Sequence, residues 1–361
     1  MSGPPRVVAR ARTAVRAALT NRLDLLADSS DAAHLAPRIL VGLSGGADSF
    51  ALLATTVWVG GRMGLETEAV IIDHGLQEGS AGVAERAAAG AERLGATVRI
   101  ERVTVDRDAP GGLENAARTA RHRAFTQRLE DSGALAILLG HTLDDQAEQV
   151  LMGLARGGGP RAVAGIAPAR GPLLRPFLGT GRDETTALRR ADTEEICRLH
   201  DVDWWEDPMN ADTTMLRARV RHTVMPLLRD ALGEQIDENL ARCAALVRPD
   251  VDHLDAEAEA LLESLRRDGS PAAEEADVLL LDVHALAAAP DPLRTRVLRD
   301  ATRRAVEAVG AEPGKSLLRR HVLQIDALVR TWHGQLPVPL PGTIEAARRD
   351  GLLVWRRTSA P

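Results

Sequence analysis

Residues 40–53 read LVGLSGGADSFALL: an apolar run, a loop carrying Ser44, Gly45, Gly46, Asp48 and Ser49, then a second apolar run. The string GLSGG fits G-x-S-x-G, the turn that presents a nucleophilic serine, but that turn normally follows several strands and here a single helix precedes it. A Walker A loop needs a lysine after its glycines, and the only lysine in the chain is Lys315. The dinucleotide spacing G-x-G-x-x-G is missing too. What remains is a phosphate cradle without lysine. Gly45 and Gly46 let backbone approach a phosphate, the next helix offers unpaired N–H groups, and Ser44 and Ser49 add hydroxyl donors. A carboxylate there would repel phosphate unless a divalent cation stood between them, so Asp48 implies Mg²⁺. The plainer reading of Asp48 is a helix cap.

A second acidic group lies in HTLDDQAE. On a helix starting near Thr142, His141 and Asp145 are four apart, as are Asp144 and Glu148, so the acids gather near the helix entrance. Acids early in a helix complement its dipole. Beside a nucleotide they also suit a metal, with Asp48 and Asp145 as its ligands, and the capture of an amine. Asp73 and His74, in IIDHG, fall at a strand end where nucleosides lie in open α/β sheets, or in an ordinary strand-end turn. In ENAARTARHRAF, Arg118 shares a helix face with Glu114, Arg121 and His122, either as an ion-paired surface or as a phosphate ligand. Arg156 and Arg161 flank the glycines of ARGGGPRAVAGI, a loop that fits a lid or an RNA contact. Arg217, Arg219, Arg221 and His222 follow on a helix that reads as an RNA platform or a solvated face.

The elements that must hold these residues alternate. Strands are expected at 38–43, 67–73, 96–105 and 134–140, separated by helices, which is the pattern of a doubly wound parallel sheet, Rossmann-like in class. From about residue 231 long helical stretches dominate, and the tail after 336 reads as a short hairpin. The expected organisation is an N-terminal helix in 1–37, a nucleotide domain in 38–230 and a smaller, mainly helical domain in 231–361. At 361 residues and 45% hydrophobic content the chain has room for these cores. Two cysteines, Cys197 and Cys243, without C-x-x-C exclude a disulfide framework and a cysteine zinc site. No apolar run approaches the roughly 20 residues that span a bilayer, so the expectation is a cytoplasmic protein with no membrane partner. The net charge of −6 is no global mark of a nucleic-acid binder, but arginines cluster at 6–22, 217–221 and 294–304.

The loop SGGADS resembles the S-G-G-x-D-S signature of the N-type ATP pyrophosphatases, the PP-loop superfamily. IIDHGLQ, ENAARTARHRAF, GHTLDDQAEQVLMGLARGGG, LLRPFL and WEDPMNADTTMLRARVRHTVMPLL are similar, in order, to the blocks of the tRNA(Ile)-lysidine synthetase family. The resemblance implies an ATP-dependent ligase: oxygen 2 of the wobble cytidine of an isoleucine tRNA attacks the α-phosphate, pyrophosphate leaves, and the ε-amine of free L-lysine displaces AMP at carbon 2. It implies ATP and Mg²⁺ as cofactors. Asp48, Asp144, Asp145, Glu148 and Arg118 then fall to the chemistry. Ser44, Gly45, Gly46, Asp48, Ser49, Asp73, His74 and His141 fall to the nucleotide, and Arg156, Arg161, Arg217 and Arg221 to the RNA. The 231–361 domain becomes a tRNA-binding domain, and a homodimer stays open. Gln77, His122, Gln149 and Met209 depart from the family pattern, which touches fine substrate contacts. An RNA-thiolating enzyme would want paired cysteines; a non-catalytic nucleotide and RNA module would turn over no ATP.

Overall fold

The computed structural model describes residues 3–27, 36–76, 79–105, 112–179, 186–207, 212–267, 274–310 and 317–358. Gln77, Met209 and Lys315 lie outside them, as does the side chain of Glu114. The chain divides into two compact units, one formed by Met1–Arg107 and Leu113–Arg248, the other by Pro249–Pro361.

The first unit runs α1 (Arg6–Ala27), β1 (Ala36–Gly42), α2 (Ala47–Arg62), β2 (Glu66–Asp73), α3 (Ser80–Arg93), β3 (Thr97–Arg102), α4 (Leu113–Ser132), β4 (Ala134–Leu138) and α5 (Leu143–Ala155). It continues through α6 (Gly159–Val163), β5 (Ala169–Arg170), β6 (Leu173–Leu174), α7 (Arg190–Leu199), α8 (Leu216–Arg219), a π turn over Val220–Val224, α9 (Met225–Leu232) and the start of α10 (Ile236–Leu265). The sheet order is β3-β2-β1-β4-β6-β5, parallel except for β5 against β6. Both faces of the central strands are apolar, as a sheet covered on both sides requires. Ile39 and Val41 of β1 join Val15, Phe50, Leu53 and Ile196 on one face, while Leu40 meets Phe125 and Ile137 on the other. Helix α1 lies in the first of these cores through Val8, Ala11, Val15 and Leu19. The buried Glu68 of β2 accepts from Nε and Nη2 of Arg128 on α4 at 2.7 and 2.8 Å, pinning that helix to the sheet. No described helix is long and apolar enough to cross a membrane.

The chain runs from β1 through β2 out to β3 and then crosses back to β4 on the other side of β1, so the strand order reverses between β1 and β4. In open α/β sheets ligands bind at the carboxyl ends of the strands beside that reversal. The loop 43–46 and the turn 139–142 both lie there.

The second unit contains the rest of α10, β7 (Asp277–Asp282), α11 (Val283–Ala288), α12 (Asp291–Ala308), α13 (Arg319–Arg330), β8 (Val338–Leu340), β9 (Ile344–Arg349) and β10 (Leu352–Arg357). The expected C-terminal hairpin is present as β9 and β10, but within a four-stranded antiparallel sheet of order β7-β10-β9-β8. Its core centres on Trp355, fully buried, whose indole N–H donates to Thr302 Oγ1 at 3.0 Å. The boundary expected near 231 differs from the division at Pro249, inside α10. Ile236 and Leu240 pack with Met152, Val220 and Met225, and Asp237 accepts from Nε and Nη2 of Arg229 at 2.7 Å, so the first turns of α10 belong to the nucleotide unit.

Candidate active site

Strand β1 ends at Gly42, and the chain turns over Gly45, whose φ of +86° is left-handed backbone that favours glycine. The loop is held by its own serines. Ser49 Oγ donates to the Gly46 carbonyl at 2.8 Å and accepts from Ser44 N–H at 3.2 Å, and Trp205 N–H reaches the Gly45 carbonyl at 2.9 Å. The turn after β4 presses on the same place. A Cβ on Gly140 would stand 2.8 Å from the Asp48 carbonyl oxygen, so residue 140 brings β4 against the first turn of α2 only as glycine. That contact sets the distance between the two acidic groups.

Asp48 is not a cap. The N-cap of α2 is Gly46 with no side-chain cap bond. The Asp48 carboxylate instead crosses to α7, where Oδ1 lies 2.5 Å from Thr193 Oγ1 and Oδ2 lies 3.7 Å from Arg190. Thr193 Oγ1 is also 2.7 Å from the Arg190 carbonyl, and one hydroxyl proton cannot serve both oxygens. Burial, opposed by Arg190 and reinforced by Asp145, pushes the Asp48 carboxyl up to about 6. Its protonated form supplies the missing donor.

The expected group on α5 assembles as well. Asp145 closes a capping box, Oδ2 accepting from Thr142 N–H at 2.9 Å, so the dipole-complement reading holds for that oxygen. Its Oδ1 lies 3.3 Å from Arg190, Arg217 and Arg221 alike. Burial works to raise the Asp145 carboxyl, but Arg217 and Arg190 outweigh it and hold the group below the ordinary carboxylate range. Glu148, 2% exposed, takes Arg221 Nε at 2.7 Å and Arg217 Nε at 3.2 Å. Asp144 accepts the Arg190 backbone N–H at 2.8 Å, tying the start of α7 to α5.

Two expectations are corrected here. Arg217 and Arg221 do not form an outward platform: one turn apart on the same face, they point onto the acids of α5, and Arg219 is the residue left on the outer side. The glycine-rich stretch after α5 is not an open loop, because α6 folds back along α5, with Arg156 exposed and Arg161 half-buried. Sequence reasoning missed Arg190 and Thr193, whose only signal was their place behind LLRPFL.

On the other flank of β4 the charges are uncompensated. Arg175, 7% exposed, donates to the Ala167 carbonyl at 2.9 Å, and its Nε has no partner. Burial, with Arg118, Arg170 and Arg248 nearby, pulls its guanidinium down to about 10. Arg118 and Arg170 have no carboxylate partner among the described residues. Burial, together with Arg175, Arg217 and Arg118, outweighs Asp145 and draws His141 down to about 4, so its ring is neutral and Nδ1 is unpaired. At the end of β2, Asp73 accepts the Gly75 N–H at 3.0 Å in its own turn. Burial and Arg121 lower the His74 imidazole from its ordinary range, against Asp73 and Asp207.

Asp48 fits a divalent cation as a single carboxylate ligand, since Mg²⁺ takes one or two carboxylates and fills its shell with phosphate oxygens and water. Asp145 does not fit that role as placed, both oxygens being committed. No cluster of three or more metal-binding side chains exists among the described residues.

The PP-loop domain family matches residues 17–228. A tRNA(Ile)-lysidine synthase of Leifsonia xyli subsp. xyli is 46% identical over 321 residues, 88% of this chain and 89% of the relative. Another, from Thermobifida fusca, is 43% identical over 354 residues, 98% of this chain and 99% of the relative. A U34-tRNA thiolase of Methanococcus maripaludis, solved with its [4Fe-4S] cluster, shares the fold at a TM-score of 0.50 and 14% identity, covering 67% of this chain and 80% of that one.

Proposed function

Because the chain belongs to the tRNA(Ile)-lysidine synthase family of PP-loop proteins, we infer that it catalyses ATP-dependent formation of lysidine on tRNA(Ile). The supporting observation is the convergence of Asp48 with Asp145 and Glu148 at the reversal between β1 and β4. A cytidine oxygen leaves poorly until it is adenylated, so ATP, base and amine must share one site. The loop 43–46 and the amides opening α2 receive the ATP phosphates, and Asp48 would hold Mg²⁺ against them, which supplies charge neutralisation as pyrophosphate departs. The ε-ammonium of free L-lysine is drawn to Asp145 and Glu148, passes its proton to one of these carboxylates as base, and the free amine attacks carbon 2 as AMP leaves with the cytidine oxygen. Arg118, Arg170 and Arg175, with no acid partner among the described side chains, receive the phosphates of the RNA beside the reacting base. The second unit is assigned to the rest of the tRNA.

A thiolase reading is disfavoured by the two cysteines, of which Cys197 is buried with its thiol pushed up to about 12 by burial and Asp48. The decisive experiment incubates the protein with labelled lysine, ATP and bulk tRNA. Label fixed in RNA, with AMP and pyrophosphate in equal amounts, is expected; ATP turnover without label, or no turnover, removes the reading.

A further inference from the structure

Arg190 opens α7 and reaches acids on two separate helices. Its guanidinium lies 3.7 Å from Asp48 Oδ2 on α2, 3.3 Å from Asp145 Oδ1 and 3.9 Å from Glu148 Oε1 on α5. Among the described side chains it alone stands within ion-pair distance of both helices' acids, since Arg217 and Arg221 pair only with Asp145 and Glu148. The start of α7 is itself anchored. Asp144 takes the Arg190 N–H, and Thr193 one turn later contacts Asp48. Helix α7 is fixed from behind by Ile196 and Cys197 in the core, and Arg10 of α1 pairs with its Asp192.

We propose that Arg190 is a positioning residue. Resting on the function inferred above, it acts through carboxylates rather than on substrate: it clamps Asp48, which serves the nucleotide, to Asp145 and Glu148, which serve the amine, and so sets the separation at which adenylated base and amine meet. Three carboxylates gathered this closely repel one another and draw in water unless a cation stands among them. A planar guanidinium with five donors can face three acids from one place, whereas an ammonium is a point charge and cannot. Loss of the clamp lets the two halves of the site drift, and a displacement of about 1 Å costs on the order of a hundredfold in rate.

The test measures pyrophosphate release with tRNA alone, lysine incorporation, and ATP binding for wild type, Arg190→Ala, Arg190→Lys and Thr193→Val. For Arg190→Ala a fall in kcat of about a hundredfold is expected, with ATP affinity changed by less than about threefold. Added guanidinium ion should restore lysine incorporation severalfold where tetramethylammonium at equal ionic strength does not, and Arg190→Lys should stay at least about tenfold slow. A kcat within about twofold of wild type overturns the proposal. So does a loss that follows melting temperature alone and ignores guanidinium, for that is a purely structural arginine. If Arg190→Ala does not fold, Thr193→Val, which removes one of the two α7 contacts to Asp48 and loosens the carboxylate under Arg190 without removing charge, must lower kcat on its own or the proposal fails. Wild type incapable of making lysidine defeats the functional reading instead, and the two failures stay distinct.

Discussion

The two flanks of β4 use the same side chain in opposite ways. Toward α5 and α7, Arg190, Arg217 and Arg221 each meet buried acids, and Asp145 is held ionised by them. Toward α4 and β6, Arg118, Arg170 and Arg175 meet none among the described side chains, and burial with the neighbouring arginines pulls the Arg175 guanidinium down to about 10. A buried charge with partners supports the fold, and losing one partner leaves the other stranded; a buried charge without partners works against the fold and persists for what it binds. Asp48 stands between these cases. It has one cation at 3.7 Å, and burial raises its carboxyl to about 6.

The largest effect expected from this contrast is at Asp48. Asp48→Asn should lower pyrophosphate release on the order of a thousandfold, as loss of an electrostatic clamp does, while stabilising the unliganded protein at pH 7.5. The sign follows from linkage: a carboxyl raised in the folded state withholds stability above about 6 and returns it as pH falls toward 4. The variant's advantage, roughly 3 kcal/mol at pH 7.5, should vanish near pH 4 in denaturant titrations. Unchanged turnover would leave Asp48 with no part in the chemistry.

Next in size is Glu148→Gln. With Arg217 and Arg221 left partly unpaired it should lose about 3 kcal/mol of stability and raise the KM for lysine at least about tenfold, leaving the KM for ATP nearly unchanged. Full stability with an ordinary lysine requirement would place amine capture elsewhere.

The opposite flank should behave in reverse. Arg175→Met is expected to weaken tRNA binding about tenfold and to lower the salt slope by about one counterion, yet not to destabilise the protein, because the cation it removes was uncompensated. A drop in melting temperature of several degrees with unaltered tRNA binding would make Arg175 a structural residue and erase the distinction between the flanks.

The smallest effect belongs to the second unit. Its arginines at 294–304 invite an RNA surface by number, but Arg294 is buried on Asp326 and Asp291, Arg296 pairs with Asp255, Arg303 with Glu307, and Arg304 with Glu259 and Glu263. Replacing Arg296 and Arg303 together by glutamine should change tRNA affinity by less than about twofold in filter binding, since exposed paired charges contribute little. A tenfold loss would return the RNA surface to this cluster.

The sheet and its loop were legible because both leave local marks. Strand period, helix spacing and the glycines of 42–46 are written within a few residues of one another, and the strands at β1, β2, β3 and β4 lie where that patterning puts them. The acids of α5 were legible as a group for the same reason. Their partners were not. Thr193 lies 145 residues from its partner Asp48 with nothing local to mark it, and Arg190 shares that helix, so both contacts are visible only through the fold. Arg217 and Arg221 misled because an arginine that neutralises a carboxylate and one that awaits a phosphate have the same chemistry, and only burial separates them. DVLLLD at 277–282 is short enough to pass for a helix segment, which is why the four-stranded sheet reads from sequence as a hairpin.

The saturation of Asp145 and Glu148 has a consequence for entry. Every acidic oxygen of that pair is already bonded, so the pocket is not a vacancy awaiting a cation but an exchanger loaded with guanidinium. If the amine is captured here as proposed, an incoming ammonium must displace an arginine from the acids, the net charge of the pocket staying constant through the trade. Affinity is then the small difference between two large attractions, and selectivity rests on which cation fits the acids better once both are dry. In that proposed exchange, water and stray sodium would be poor competitors, because neither repays the arginine it would displace.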